Sequence, residues 1–576
     1  MDNKEEILEA VSQDLLMDYV RNIASEVRLS GSEEELRAFK YVQDKLEGFG
    51  LQTHLQFCDA YISLPVDASL QINGKDYKCI THSMSKQTPK QGISGELVYI
   101  EEENEQNKGL IASKIVLIDG LATPGTVRWA EENGALGVIF INGPHTHEMI
   151  VSNVWGSPTS ESFETLPTLS VISVVEEIGN KMKKLVKDQV NTQVTFKTTV
   201  DTGWRKIPIL TADVKSQADT NQFVLFSGHI DSWHYGAMDN GTANATMVEV
   251  ARIISSRAEE LKRSVRFAFW SGHSHGRYAA SAWYADHHWE DLHENGVVHV
   301  NIDSVGAKNA VVLTESNCMA ETKEVVQNSI RTISGQNFKG TRYSRSGDQS
   351  FWGTGIPSLL MGLSEQLPSN DTASNAFSKL FGGPNSGGYG WWWHTTEDTI
   401  DKVDPVHLKR DCQIYLDIVY TFATSPIIPI NQLKAVAEIK EAIIDYDNKS
   451  KKRLDFSLTK DRVFELEDLI NTFNIVIKQN QGETNTIYAN RCILELSRTL
   501  VPLNYLQGDI FDHDPCYSPP RIPALMKVNQ FGTLEKDTHD FYLLRNELTR
   551  ELNKVNYTLL QAIRITKGYL ERITSA

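Results

Sequence analysis

Four apolar runs, each ending in a polar residue, constrain the fold of this chain more than any other feature. FVLFSGH ends at His229, VRFAFWSGH ends at His273 and VVHVNID ends at Asp303, and AVVLTES follows as the fourth run. Predicted helices at 241–256 and 277–293 lie between the runs. Apolar strands that alternate with helices are typical of a mostly parallel sheet covered on both faces. Because chemistry in such sheets collects at the carboxyl ends of strands, we expect the three polar residues to share one crevice.

The rest of the chain predicts further domains, since 576 residues are too many for one hydrophobic core. Residues 1–91 and 206–427 are assigned to the sheet-and-helix domain. Residues 92–205 contain short β-rich runs with helices between them, which predicts a small inserted domain. Residues 428–576 are charged, with heptad-like stretches at 432–448, 459–480 and 538–572, and predict a helical domain for packing or dimerisation.

Composition excludes several classes of function. A net charge of -17 repels phosphate backbones and acidic membrane surfaces, so no nucleic-acid or membrane partner is expected. No run reaches the roughly 20 apolar residues of a membrane span. The first residues, MDNKEEILEA, are acidic where a secretory signal is basic, and we predict a cytoplasmic chain. The six cysteines form no C-x-x-C pair, which predicts reduced structural thiols.

A set of histidines and aspartates follows the strands with the spacing of a metal site. Asp231 lies two residues after His229, on the same side of the strand end, and is predicted to orient the His229 imidazole. Asp239 precedes a glycine that opens a helix, and His394 follows three tryptophans. With Asp303 these residues offer the imidazole and carboxylate ligands that suit Zn²⁺ or another divalent transition metal.

The same segments carry a resemblance to metallopeptidase family twenty-eight, the family of leucyl aminopeptidase, glutamate carboxypeptidase II and the transferrin receptor group. The matching segments are RLSGSEEELRAFKYVQDKLEGFGL, GHIDS, MDNGTANATMVEVAR, SVRFAFWSGHSHG, NIDSVG and HTTEDTIDKVD. The resemblance implies an α/β fold like that of zinc aminopeptidases, with a mixed, mostly parallel sheet flanked by helices. It also implies a protease-associated insert and a C-terminal helical domain that makes a homodimer.

The family holds two zinc ions that share one aspartate, and the resemblance transfers this arrangement residue by residue. Asp239 is then the bridge, His229 and Asp303 complete the first site, and His394 belongs to the second. The family also has a Glu-Glu pair, in which the first glutamate is the general base and the second is a ligand. Here the corresponding segment reads His273-Ser274-His275, so both roles are lost in their usual form.

The replaced pair leaves several interpretations open. A neutral imidazole accepts protons near pH 7, so His273 is a candidate base. Imidazole is also a good zinc ligand and a serine hydroxyl a poor one, so His273 or His275 is a candidate ligand. The site then holds one or two ions, or the protein is catalytically silent and serves binding. Because a buried polar cluster costs stability unless it is ligated or hydrogen-bonded, we expect an active enzyme.

The preferred function is a metal-dependent hydrolase of aminopeptidase or carboxypeptidase type that acts on a small amide or short peptide-like substrate. A lyase or cyclase on the same scaffold and a silent dimeric binding protein are the alternatives. His273 and Asp231 are the predicted catalytic residues. The predicted substrate contacts are Arg345, Asp348, Tyr389 and Trp393.

Overall fold

The structure is a computed structural model that describes residues 3–188, 192–344, 346–369, 377, 386–480 and 482–575. Its strands are β1 (Thr53–Ile72), β2 (Lys75–Tyr77), β3 (Ile80–Thr81), β4 (Ile93–Ile100), β5 (Ile115–Asp119), β6 (Gly137–Ile141), β7 (Ser170–Val174), β8 (Gln193–Val214), β9 (Phe223–His229), β10 (Ser264–Trp270), β11 (Gly296–Ile302), β12 (Asn317–Cys318), β13 (Thr341–Arg342) and β14 (Ser358–Met361). They join in one sheet with the order β13-β12-β14-β11-β9-β10-β8-β4-β5-β6-β7-β3, and β1 and β2 pair beside β8.

The helices before residue 430 are α1 (Asn3–Glu9), α2 (Gln13–Ile23), α3 (Glu33–Gly48), α4 (Lys108–Ile111), α5 (Pro124–Glu132), α6 (Ser160–Phe163), α7 (Glu176–Lys187), α8 (Ala243–Ser255), α9 (Ala279–His287), α10 (Trp289–Asn295), α11 (Lys323–Ser334) and α12 (Pro405–Thr424). The later ones are α13 (Gln432–Lys449), α14 (Ser457–Gln479), α15 (Glu483–Tyr505), α16 (Val528–Phe531) and α17 (His539–Ser575). None of these described helices is long and apolar enough to span a bilayer.

Parallel strands form the centre of the sheet. Strand β9 lies between β10 and β11 and runs parallel to both, β14 runs parallel to β11, and β8 is antiparallel to β10. Alternate residues of β9 enter two cores, because successive side chains of a strand point to opposite faces. Val224 and Phe226 pack on the side of α2, α8 and α12, whereas Phe223 and Leu225 pack on the side of α9. The predicted mostly parallel sheet flanked by helices is confirmed.

The prediction that AVVLTES forms a fourth strand is wrong. Residues 310–316 lie outside the sheet, and β14 takes the position beside β11 instead. The N–H groups of Val311 and Val312 both donate to the main-chain oxygen of Glu365, so this segment pairs with a loop. Ala310, Val312 and Leu313 are buried whereas Val311 is exposed, so most of the run has the burial of a strand without its pairing.

A long antiparallel ribbon of β1 and β8 joins the central sheet to the insert. Its far end packs Leu70 and Ile72 of β1 into the core of the insert, and β3 pairs with β7. The sheet of the insert therefore also uses residues before 92, earlier than the predicted boundary. The division into three domains stays a prediction.

Candidate metal centre

Three strand ends bring their side chains together, as the sequence predicts. His229 ends β9, His273 follows β10 and Asp303 follows β11. One ligand atom from each of the three lies within 4.8 Å of the others. The imidazole rings of His229 and His273 stack at 3.7 Å with an angle of 10° between their planes. These residues make a compact cluster at the carboxyl edge of the sheet.

The separations within this cluster fit a bound ion. Nε2 of His229 lies 3.5 Å from Oδ1 of Asp239 and 3.6 Å from Oδ2 of Asp303, and this buried nitrogen has no hydrogen-bond partner. Nε2 of His273 lies 3.9 Å from the same Asp303 oxygen. Such separations are long for hydrogen bonds. Ligand atoms on a tetrahedral zinc ion are roughly 3.3 Å apart, given bonds of about 2.0–2.1 Å. The donor set is therefore suited to zinc.

Asp239 lies between His229 and His394. Its Oδ2 is 3.0 Å from Nε2 of His394, while Nδ1 of His394 donates to the main-chain oxygen of Glu148 at 2.6 Å. Asp239 therefore faces both imidazoles, and its role as a bridging carboxylate stays a prediction. Ser274 lies on the same cavity wall, and among the described residues of that wall the carboxylates are Asp239 and Asp303.

Asp398 positions Asp239, and sequence reasoning did not assign it a role. Its carboxylate accepts from the N–H groups of Met238 and Asp239, both at 2.9 Å. Burial raises the pKa of Asp398 to about 7 despite these two hydrogen bonds. Asp398 belongs to the HTTEDTIDKVD segment that carries the family resemblance. Its role could not be predicted, because its partner Asp239 lies 159 residues away in the chain.

Gly236 controls the position of the same loop, and its replacement is a direct test. A Cβ at residue 236, where φ is 53°, falls 2.3 Å from the main-chain oxygen of Asp239. We expect Gly236→Ala to cost about 1–3 kcal/mol in backbone strain and to weaken zinc binding by displacing Asp239. Gly335→Ala is the control, because φ is 73° there but open space surrounds the site. Thermal unfolding and zinc titration measure both effects. Unchanged zinc affinity in Gly236→Ala would contradict the expectation.

The Asp231 carboxylate contacts the backbone after β10 more closely than it contacts the His229 imidazole. Nδ1 of His229 lies 2.9 Å from the main-chain oxygen of Asp231 but 3.5 Å from its carboxylate. The carboxylate instead accepts from the N–H of Ser274 at 2.9 Å, the N–H of His273 at 3.3 Å and the hydroxyl of Ser30 at 2.7 Å. Burial favours a raised pKa for Asp231, but the facing histidines hold it well below its usual range. Asp231 thus fixes the turn that carries His273.

Asp348 holds His273, and it does not line the cavity. Its Oδ2 lies 2.8 Å from Nδ1 of His273, and its Oδ1 accepts from the hydroxyl of Ser281 at 2.9 Å. The carboxyl group is fully buried. A carboxylate on Nδ1 directs Nε2 of His273 toward the ligand cluster. The predicted contact of Asp348 with substrate is therefore replaced by a contact with His273.

His275 lies apart from the ligand cluster. Its Nδ1 is 2.8 Å from the hydroxyl of Ser30, and its ring packs edge-on against Trp233. Burial lowers the pKa of His275 to about 4, so its imidazole is neutral. It is neither among the grouped ligand atoms nor on the cavity wall. The structure thus favours His273 over His275 as an added ligand.

A cavity of about 180 Å³ opens beside the cluster. Tyr389 and Trp393 line it as predicted, and Trp393 stacks on His394 at 3.3 Å. Arg345 lies outside the described residues. Sequence reasoning missed other parts of the wall, which come from the insert, from the turn after His273 and from the loop after α15: Thr123, Pro124, Met149, Ile150, Arg277, Tyr278, Cys516 and Ser518.

Comparison with known proteins places this site in a family. Residues 210–419 match the family model described as Peptidase family M28. The chain contains a peptidase family M28 domain. The M28 domain includes His229, Asp239, His273, Asp303 and His394, so every residue discussed as a ligand lies within the matched range.

Relatives of the M28 domain include peptidases from bacteria and plants. An aminopeptidase of Bacillus subtilis is 21% identical over 402 residues, which cover 68% of this chain and 80% of that protein. A probable glutamate carboxypeptidase of Zea mays is 24% identical over 214 residues, but the alignment covers 34% of this chain and 28% of the maize protein. These relatives support a peptidase-type hydrolase.

Solved structures show the same fold. A peptidase M28 precursor from Shewanella amazonensis superposes with a TM-score of 0.57 at 19% identity, covering 73% of this chain and 96% of that one. A zinc aminopeptidase from Bacillus subtilis gives a TM-score of 0.55 at 19% identity, over 72% of this chain and 96% of its own. The M28 domain thus has the zinc-aminopeptidase fold.

Proposed function

We propose that this chain is a metal-dependent hydrolase of aminopeptidase or carboxypeptidase type with an altered metal centre. Its ligands are His229, Asp239, Asp303 and His273, and its substrate is a small amide or peptide-like molecule. The observation that carries the proposal is the buried Nε2 of His229, which has no hydrogen-bond partner and faces two carboxylates at 3.5 and 3.6 Å. Imidazole and carboxylate ligands beside a cavity are typical of a catalytic zinc site, where water or substrate also reaches the ion.

The residues around the centre have separate tasks in this proposal. When bound, a divalent ion supplies the Lewis acid that polarises the scissile carbonyl and activates water. Asp348 fixes His273 through its Nδ1. If His273 is a ligand, His394 is the remaining imidazole on the cavity wall, and the Glu148 oxygen holds its Nδ1 proton. Nε2 of His394 lies 3.0 Å from Oδ2 of Asp239, so His394 stays a proposed ligand of a second ion rather than a base.

Metal analysis of the purified protein tests the proposal. We expect one tightly held equivalent of zinc or another divalent transition metal, lost in both His229→Ala and Asp303→Asn. Removal by chelator is expected to abolish turnover and to lower the unfolding temperature, since ion at 1,000 times its Kd stabilises a folded state by about 4 kcal/mol. A folded, metal-free wild-type protein that still turns over substrate would sink the proposal.

A lyase or cyclase reaction is the second candidate. The observation that favours it is the segment His273-Ser274-His275, which offers no carboxylate where the family resemblance places its base. Such reactions need proton transfer without attack by water. The protease-associated likeness of the insert, the homodimer, the cytoplasmic location and the number of ions remain predictions.

A further inference from the structure

We propose that Arg277 binds a carboxylate of the substrate, which makes this enzyme selective for substrates with a free acid group. The inference rests on the proposed function, because Arg277 lines the same cavity as the proposed metal ligands. It favours the carboxypeptidase type over the aminopeptidase type.

The surroundings of Arg277 differ from those of an ordinary ion pair. Its side chain lines the cavity, and the residue is 9% exposed. Nε donates to the main-chain oxygen of Ser152 at 3.1 Å, and Nη2 donates to that of Ile150 at 2.7 Å. Within the described ranges, no carboxylate forms an ion pair with this guanidinium. Its described partners are two main-chain oxygens and the Tyr278 side chain, so a bound carboxylate would supply the counter-ion.

Other buried arginines of the chain show what a purely structural arginine looks like here. Arg28 donates to the main-chain oxygens of four residues, and Arg263 and Arg498 each donate to three. None of these three lines the cavity beside the metal ligands. Arg277 has two carbonyl partners and lies on the cavity wall. It therefore has fewer main-chain acceptors than the three structural arginines, and its other neighbour is the Tyr278 side chain.

Tyr278 lies between Arg277 and the ligand cluster. Its guanidinium carbon lies 5.6 Å from the centroid of the Tyr278 ring, and that ring packs edge-on against His273 at 4.7 Å. One aromatic ring therefore separates the cation from a metal ligand. Arg277, His273 and Asp303 line the same cavity, so we expect one small substrate to contact both the guanidinium and the cluster.

The other charges of the cavity wall agree with an acidic group rather than an amine. Thr123 and Pro124 place the N-terminus of α5 on the wall, and the positive end of a helix dipole favours anions. Among the described residues of the wall, the only carboxylates are Asp239 and Asp303, which are proposed ligands. The wall thus offers a cation to a carboxylate and no spare anion to a free amino terminus.

The test compares an acid with its matched amide. N-acetyl-alanyl-alanine and N-acetyl-alanyl-alanine amide differ only in the terminal charge. We expect the zinc-loaded wild-type protein to bind the acid about 10- to 100-fold more tightly by titration calorimetry, as a charge-assisted hydrogen bond provides. Arg277→Gln should remove this preference by weakening the acid alone. Arg128→Gln is the control, because Arg128 is an exposed arginine on α5 paired with Glu132.

The outcomes separate this inference from the proposed function. Equal weakening of acid and amide in folded Arg277→Gln would mean that Arg277 only joins the insert to the M28 domain, and would overturn the inference even if turnover is seen. A wild-type protein without acid preference overturns it too, and that result needs no variant to fold. Acid preference that is lost in Arg277→Gln, in a protein that hydrolyses neither probe, supports the anion site while the hydrolase proposal fails.

Discussion

Replacing His273 with alanine is expected to remove both metal and turnover. Nε2 of His273 is one of the clustered ligand atoms, and its Nδ1 is fixed by Asp348. Loss of a direct ligand should lower zinc affinity by more than about 100-fold, the upper end for losing a partner that only orients a ligand. Competition with a chromogenic chelator gives the affinity, and turnover of a peptide-like amide gives the activity.

Two companion variants sharpen the His273 experiment. Asp348→Asn keeps the shape but weakens the hold on His273, and should cost about 10- to 100-fold in affinity or activity. His287→Ala removes an exposed histidine that stacks on Trp283 in α9 and should change neither. If His273→Ala keeps its metal and loses only turnover, then His273 is the general base. If it loses neither, it has no role in the reaction.

Replacing Ser274 with glutamate is expected to create a second metal site. Ser274 lines the cavity, and its N–H is anchored on Asp231, so residue 274 is held in place beside the cluster. His394 and Asp239 already supply an imidazole and a carboxylate at 3.0 Å from each other. A glutamate carboxylate at residue 274 would be the third ligand and would complete a set that zinc accepts. We expect the metal content to rise from one equivalent to two.

Ser274→Gln is the matched control for the second site, because it has the same length without the charge. Its metal content should stay at one equivalent. The residue is 3% exposed, so the glutamate is buried and unfavourable until it is ligated. The unfolding temperature of Ser274→Glu should therefore respond more steeply to zinc than that of the wild type. A folded Ser274→Glu protein with one equivalent of metal would show that the His394 side cannot hold an ion.

Strand ends were the most predictable part of this molecule. The apolar runs before His229, His273 and Asp303 have the length and the burial of central parallel strands, and topology then brings their ends together. The AVVLTES prediction failed because a mostly buried apolar run that pairs with a loop has the same composition as a strand. Burial can be inferred from such a run, but the partner of its backbone cannot.

Side-chain contacts whose direction depends on an irregular turn could not be predicted from the sequence. His273 and His275 are two residues apart, yet one enters the ligand cluster and the other packs behind it on Ser30. The turn between them has no regular repeat from which the direction of either side chain can be predicted. Arg277 and Tyr278 follow it with φ of 48° and 66°. Asp348 was placed on the substrate because its real partner, His273, is 75 residues away.

The cavity draws its walls from chain segments that lie on both sides of the M28 domain. Cys516, in the loop after α15, donates its N–H to the main-chain oxygen of Asn153 in the insert at 2.8 Å, so tail and insert meet over the same space. The proposed ligands all belong to residues 210–419, whereas Thr123, Ile150 and Ser518 do not. Mutational drift in the outer segments can therefore change which molecules fit without altering the ligand set, and chemistry and selectivity can evolve separately in this protein.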